Sequence, residues 1–263
     1  MTDITAVLEG VYNDSNLRKT IVPLFISNPG LGKSQTIHQF AKNKNVRIVE
    51  LITSQMSPFE ISGIAMPVTE TGKMTYFNFD NLESLKDGDI LFFDELLNGN
   101  PVILNACLTL LESRRLISGK KLPDIMIVAA ANHQGMVPLT PQVKERFVWY
   151  NIKFSRTDWS SWMIDKYNVT KTICDKLVKL IESEKFETNN FFTPRSIDKA
   201  VSMILNDVPT PYCHNLEIIL NELVVNATEN NINYGNFTLH PSEGVSWLKL
   251  IKIINMKNNE ISN

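Results

Sequence analysis

The sequence predicts a parallel α/β sheet flanked by helices, followed by a smaller all-helical domain. Three observations carry this expectation. Short apolar runs rich in β-branched residues alternate with stretches of helical periodicity up to about residue 156. Two of those runs, Asp89-Ile-Leu-Phe-Phe-Asp94 and Ile125-Met-Ile-Val-Ala-Ala-Ala131, are continuously apolar, as strands buried on both faces are. After about Thr157 the strand signal stops and helical stretches recur. The expected domains are 1–156 (α/β) and 157–263 (helical, with a C-terminal extension).

Residues 1–20 read as one short helix. Ile21 to Ser27 is the first strand, with Pro23 tolerated near its start. Helical periodicity runs from Lys33 to about Lys42. Val46-Arg-Ile-Val-Glu-Leu51, bounded by Asn and Ser, is the second strand. From Met56 to Phe79 come Gly63, Pro67, a Thr-Glu-Thr-Gly turn at 69–72 and the alternating run Met74-Thr-Tyr-Phe-Asn-Phe79. A β-hairpin set between helical pieces is expected there. Its apolar Met66, Met74, Tyr76 and Phe77 are expected on one gripping face. Asp89–Asp94 is the third strand, Pro101 to Leu111 a helix, Ile125–Ala131 the fourth strand and Phe147-Val-Trp-Tyr-Asn-Ile152 the fifth. Helices of the second domain are expected at roughly 158–168, 170–185, 194–206 and 216–228.

Composition narrows the function classes. The 263 residues are 43% hydrophobic and 21% charged, which excludes disordered and fibrous chains. Lys and Arg number 26 against 28 Asp and Glu, a net charge of −2. No overall positive field therefore draws the protein to nucleic acid or to an anionic membrane. No apolar stretch approaches the roughly 18 residues of a membrane-spanning helix. The opening Met-Thr-Asp-Ile lacks the basic and apolar segments of a signal peptide. Cys107, Cys174 and Cys213 are odd in number, widely spaced and set in apolar segments, as reduced buried thiols are. A cytoplasmic protein is expected, with no membrane partner and with nucleic acid disfavoured as one.

Ser27-Asn-Pro-Gly-Leu-Gly-Lys-Ser34 follows a predicted strand and opens a helix, the context of a phosphate-cradling loop. Its backbone N–H groups and the helix N-terminus suit nucleotide phosphates. Lys33 supplies a point charge for the β and γ phosphates, and the Ser34 hydroxyl can ligate Mg²⁺. The first glycine of the pattern is Ser27 here. Asp94-Glu95 closes an apolar strand, where an acid faces the phosphate loop across a topological switch point. Asp94 can hold Mg²⁺, and Glu95 can polarise the attacking water as general base. Asn132 ends the fourth strand and is expected beside Asp94, placed to orient that water and sense the γ-phosphate. Arg146, in Pro141-Gln-Val-Lys-Glu-Arg-Phe147, is placed to reach a neighbouring subunit's nucleotide rather than its own. Arg195, in Thr193-Pro-Arg-Ser196, opens a helix of the second domain and is expected to point back toward the phosphates. Taken singly, Asn132 is a turn residue and each Arg a surface cation; their order carries the reading.

In that order the chain resembles an AAA+ ATPase, more narrowly the MoxR-like branch, from residue 21 to about 205. The resemblance implies that Asn28, Pro29, Gly30, Leu31, Gly32, Lys33, Ser34 and Gln35 bind the nucleotide, with Lys33 and Ser34 the Walker A pair. It implies Asp94 and Glu95 as Walker B, Ser34 and Asp94 as Mg²⁺ ligands, and Glu95, Asn132, Arg146 and Arg195 as the catalytic set. Within that set Asn132 resembles sensor 1, Arg146 the trans arginine finger and Arg195 sensor 2. Phe59-Glu-Ile-Ser-Gly63 and the hairpin through Phe79 resemble the insert this branch carries toward its pore. Asn105 to Glu112 resembles the helix after Walker B, and Gly135 to Pro141 the loop that leads to the finger helix. Two departures stand out: Leu96-Leu-Asn98 where the branch has Ile-Asn-Arg, and Ser27 for glycine. The resemblance further implies ATP and Mg²⁺ as cofactors, a homo-hexameric ring, and a separate remodelled partner, often a von Willebrand A-domain protein.

Three other functions stay open on the sequence. A monomeric P-loop kinase would exclude water rather than activate it, which Glu95, Asn132 and Arg146 argue against. A nucleotide-switched scaffold without hydrolysis is allowed by Ser27 and the Leu-Leu-Asn departure. A GTP- or ATP-driven motor subunit acting on nucleic acid is disfavoured by the acidic balance of charge.

Overall fold

The computed structural model describes residues 3–70, 72–133, 136, 140–167, 170–182 and 193–205. The chain divides into two units, Met1–Lys153 and Phe154–Asn263. The first opens with α1 (Ile4–Tyr12) and α2 (Ser15–Thr20). Two helices stand where one was expected, because Asp14 interrupts the run. Its carboxylate accepts from the N–H groups of Asn16 and Leu17 and so starts a new helix.

The five expected strands are all present: β1 (Pro23–Ser27), β2 (Ile48–Ile52), β5 (Ile90–Asp94), β6 (Met126–Asn132) and β7 (Val148–Asn151). They form one sheet in the order β2-β5-β6-β1-β7, and every pairing is parallel. The continuous apolar runs are explained by two cores, one on each face. Successive residues of a strand point to opposite sides. Leu24, Ile26, Leu91, Phe93, Ile127 and Ala129 therefore pack with Leu82 of α5 (Asp80–Glu83) and with Ile103, Leu104, Cys107 and Leu110 of α6 (Pro101–Ser113). Phe25, Ile90, Phe92, Met126 and Val128 pack instead with Leu8 of α1 and with Ile37 and Phe40 of α3 (Lys33–Lys44). The sheet is sandwiched by helices, as the sequence predicts.

Between β2 and β5 lie α4 (Phe59–Ser62), the antiparallel pair β3 (Ile64–Val68) and β4 (Lys73–Phe77), and then α5. The hairpin is present, but its single gripping face is not. Register sets Met66 opposite Thr75 and Ile64 opposite Phe77 on one face, with Met74 opposite Pro67 and Tyr76 opposite Ala65 on the other. Both faces carry exposed apolar side chains, with Met66 50%, Met74 61%, Tyr76 47% and Phe77 52% accessible. The base of the hairpin turns at Gly63, φ +71°, where a Cβ would come within 2.6 Å of Ile117 Cγ2 and 2.7 Å of the Phe77 carbonyl oxygen.

After β6 come α7 (Pro141–Glu145), started by Thr140, and β7. The second unit contains α8 (Arg156–Tyr167), α9 (Lys171–Glu182) and α10 (Pro194–Leu205), packed around Trp159, Met163, Leu177, Val178, Ile197 and Ala200. The expected helix at 216–228, Cys213 and Gly135 lie outside the described residues. Cys107 and Cys174 are buried free thiols, and burial pushes Cys107 up to about 12. Among the described residues no helix is long and apolar enough to cross a membrane.

Candidate nucleotide site

β1, β5 and β6 are neighbours in the sheet, so their carboxyl ends bring three distant parts of the sequence together. From β1 the chain leaves Ser27, exposes Asn28 and Pro29, turns at Gly30 (φ 83°) and Gly32 (φ 81°), and enters α3 at Lys33. An L side chain at Gly32 would be strained, although open space surrounds it. Gly32 is the N-cap of α3, and among the described residues no side chain caps it. The loop thus delivers an uncapped helix start, where partial positive charge favours anions. Gln35, also expected at the nucleotide, sits exposed in the first turn of α3.

Lys33 is buried at 7% exposure and reaches back over the loop. Its Nζ donates to Ser27 Oγ at 2.7 Å and to Asn132 Oδ1 at 3.0 Å. Asn132 was expected beside Asp94; in register it pairs with Ser27 on β1, and β5 flanks β6 on the other side. Its backbone N–H donates to Asn98 Oδ1 at 3.1 Å. Asn98 occupies one of the positions that depart from the branch's pattern.

The Ser34 hydroxyl donates to Asp94 Oδ2 at 2.7 Å. Two hard oxygens of the kind Mg²⁺ prefers therefore already sit together at the mouth of the loop. Thr53, after β2, fixes this strand end: its N–H and its hydroxyl both donate to the Asp94 carbonyl oxygen, at 3.0 and 3.2 Å. Glu95 takes the left-handed conformation, φ 55° and ψ 28°, and its N–H donates to Asp94 Oδ1 at 2.8 Å. Its carboxylate accepts from the Ser54 hydroxyl. Sequence reasoning missed Thr53, Ser54 and Asn98. Hydroxyl residues just past a predicted strand were the available signal, but their use depends on β2 lying against β5.

Arg146 is not part of this cluster. It follows α7, and its Nη2 pairs with Glu112 Oε1 of α6 at 2.8 Å. Arg195 is exposed in the first turn of α10, in the second unit.

Residues 20–148 match the family model described as the MoxR domain in the MoxR-vWA-beta-propeller ternary systems. Residues 20–148 form a MoxR-like AAA+ ATPase domain. Two uncharacterized proteins of Methanocaldococcus jannaschii are similar to the chain that carries this MoxR-like domain. One is 28% identical over 171 residues, 62% of this chain and 40% of the relative. The other is 30% identical over 132 residues, 49% of this chain and 34% of the relative. The chain thus spans well under half the length of these curated relatives. Among solved structures, the RuvB Holliday junction branch migration motor of Thermotoga maritima matches with a TM-score of 0.53 and 16% identity, over 84% of this chain and 68% of that one. A second RuvB structure from the same organism, that of a point mutant, gives 0.55 at 16% identity over 86% and 71%. The likeness to RuvB is one of fold.

Proposed function

We propose that the MoxR-like domain hydrolyses ATP with Mg²⁺, and that the chain works as a homo-hexameric ring in the cytoplasm to remodel a partner protein. The observation that carries the reading is the convergence of Lys33 and Ser34, at the start of α3, with Asn132 at the end of β6 and Asp94 at the end of β5. Lys33 and the uncapped start of α3 take the β and γ phosphates. Ser34 and Asp94 would hold Mg²⁺, which would supply positive charge to offset that of the phosphates. Glu95 leaves Ser54 and accepts the proton of the attacking water. Asn132 orients that water from the end of β6. Arg146 acts on the neighbouring subunit's nucleotide, and Arg195 belongs to the second unit's contribution.

The partner class follows from the family's description, which names von Willebrand A proteins alongside the MoxR domain. We assign the exposed hairpin β3–β4 to that partner's handling, since it holds no group for phosphate beyond Lys73.

The test is phosphate release and ATP binding on variants. Lys33→Ala loses tight binding. Glu95→Gln keeps binding and loses about 10²- to 10⁴-fold in turnover. Removal of Mg²⁺ with a chelator abolishes release. Equal loss of binding by both variants would overturn the assignment of roles.

A further inference from the structure

Glu95 and Asn132 lie on different strand ends, and one short turn of chain joins them. After β5 the backbone goes left-handed at Glu95 and makes a single 3₁₀ turn, Leu96–Asn98, in which the Asn98 N–H donates to the Glu95 carbonyl oxygen at 2.8 Å. Leu96 and Leu97 are fully buried in the core shared with α6, which anchors the turn. Toward β2, Gly99 passes so close that a Cβ would come within 2.9 Å of the Thr53 carbonyl oxygen. Toward β6, the Asn98 side chain takes up a backbone group. β6 pairs with β1 as far as Asn132, but its register with β5 ends at Ala129. The Asn132 N–H lies beyond that register and donates instead to Asn98 Oδ1 at 3.1 Å.

We propose that Asn98 is a positioning residue that holds the end of β6 against the Glu95 turn, so that the Asn132 amide and the Glu95 carboxylate address the same water. The inference rests on the nucleotide reading above. Asn98 acts through Asn132, and the effect of its loss therefore falls on turnover. Affinity is set elsewhere, because Lys33, Ser34 and the phosphate loop are placed by β1 and α3. Removing the Asn98 oxygen takes one hydrogen bond from the strand end and lets the Asn132 amide drift from its place. The expected loss in turnover is about three- to tenfold, the range that one hydrogen bond supplies.

Phosphate release and calorimetric titration with a non-hydrolysable ATP analogue and Mg²⁺ read this on the full 263-residue chain. Asn98→Ala and Asn98→Leu both remove the oxygen, and either carries the comparison should the other fail to fold. Each lowers kcat about three- to tenfold and leaves the affinity for the analogue at the parent's value. Asn98→Asp, which keeps an oxygen acceptor, recovers most of the turnover. The deciding measurement is a double-mutant cycle with Asn132→Ala. A general structural defect adds its loss to any background, whereas positioning through Asn132 does not. Asn98→Ala therefore costs nothing further once Asn132 is alanine. Additive losses, or unchanged turnover by the folded Asn98 variants, overturn the positioning role and leave the nucleotide site standing. A parent chain that binds no analogue overturns the nucleotide reading, and this inference with it.

Discussion

Glu95 is the residue whose backbone says most. A left-handed conformation costs a non-glycine residue about 1–2 kcal/mol, and Glu95 holds it because the surroundings over-determine it. Its N–H bonds Asp94 Oδ1, its carbonyl oxygen accepts from the Asn98 N–H at 2.8 Å, and its carboxylate takes the Ser54 hydroxyl. The expected outcome is that Glu95→Gly raises stability by about 1 kcal/mol while ending phosphate release. Glu95→Gln, with the strain retained, leaves the melting temperature where it was. Thermal melts of both variants check this, and a destabilised glycine variant would remove the strain argument. The two acids were legible, because carboxylates ending an apolar run are conspicuous in sequence. The left-handed turn was not, since nothing in the Asp-Glu-Leu-Leu string demands a positive φ. The contribution of Ser27 was legible only as a departure from a pattern, and its hydrogen bonds needed the register of β1 with β6.

Among elements, α2 shows how a short helix is fastened. Asp124, just before β6, accepts from Arg18 Nε at 3.2 Å and Nη2 at 2.8 Å and from the Ser15 hydroxyl at 2.7 Å. The Arg18 guanidinium holds the Asp124 carboxyl down to about 2. Its unfolded value is about 3.9, so the folded state prefers the ionised form. The stabilisation is in place above about pH 4 and is lost as pH falls through about 2. Asp124→Asn should lower stability at pH 7 by about 1–2 kcal/mol, and the difference from the parent should shrink as acid titrates the parent's carboxylate. Urea unfolding at pH 7 and pH 3 reads this; a constant difference would mean the charge is not what matters. The strands were legible because burial on both faces leaves unbroken apolar runs. The hairpin was legible from its turn, while its faces were not. Antiparallel pairing across residues 69–72 puts Met66 with Thr75, and that register decides which apolar residues share a side.

In the whole molecule, the strand order places the phosphate loop, Asn132 and Asp94 side by side, and no feature of the sequence states that order. Runs of apolar residues give the strands but not their neighbours. Arg146 is paired with Glu112 within the chain, and under the proposed trans role it would have to leave that partner to reach a neighbouring subunit. Arg146→Ala should bind ATP yet hydrolyse it about 10³-fold more slowly or worse. Mixing Arg146→Ala with Lys33→Ala chains should restore part of the activity, and mixed assemblies without any recovery would count against action in trans. The hairpin carries a consequence for handling the protein. A two-stranded ribbon is marginal in water by itself, and both faces of this one offer bare methionine and aromatic surface. The purified chain should therefore light up a hydrophobic dye in its native state and cloud as salt rises. Met66→Lys and Met74→Glu should each dim the dye, because each clears a different side of the ribbon. A dye that stays dark on the parent protein would mean that something already covers it, and the first place to look would be another copy of the same chain.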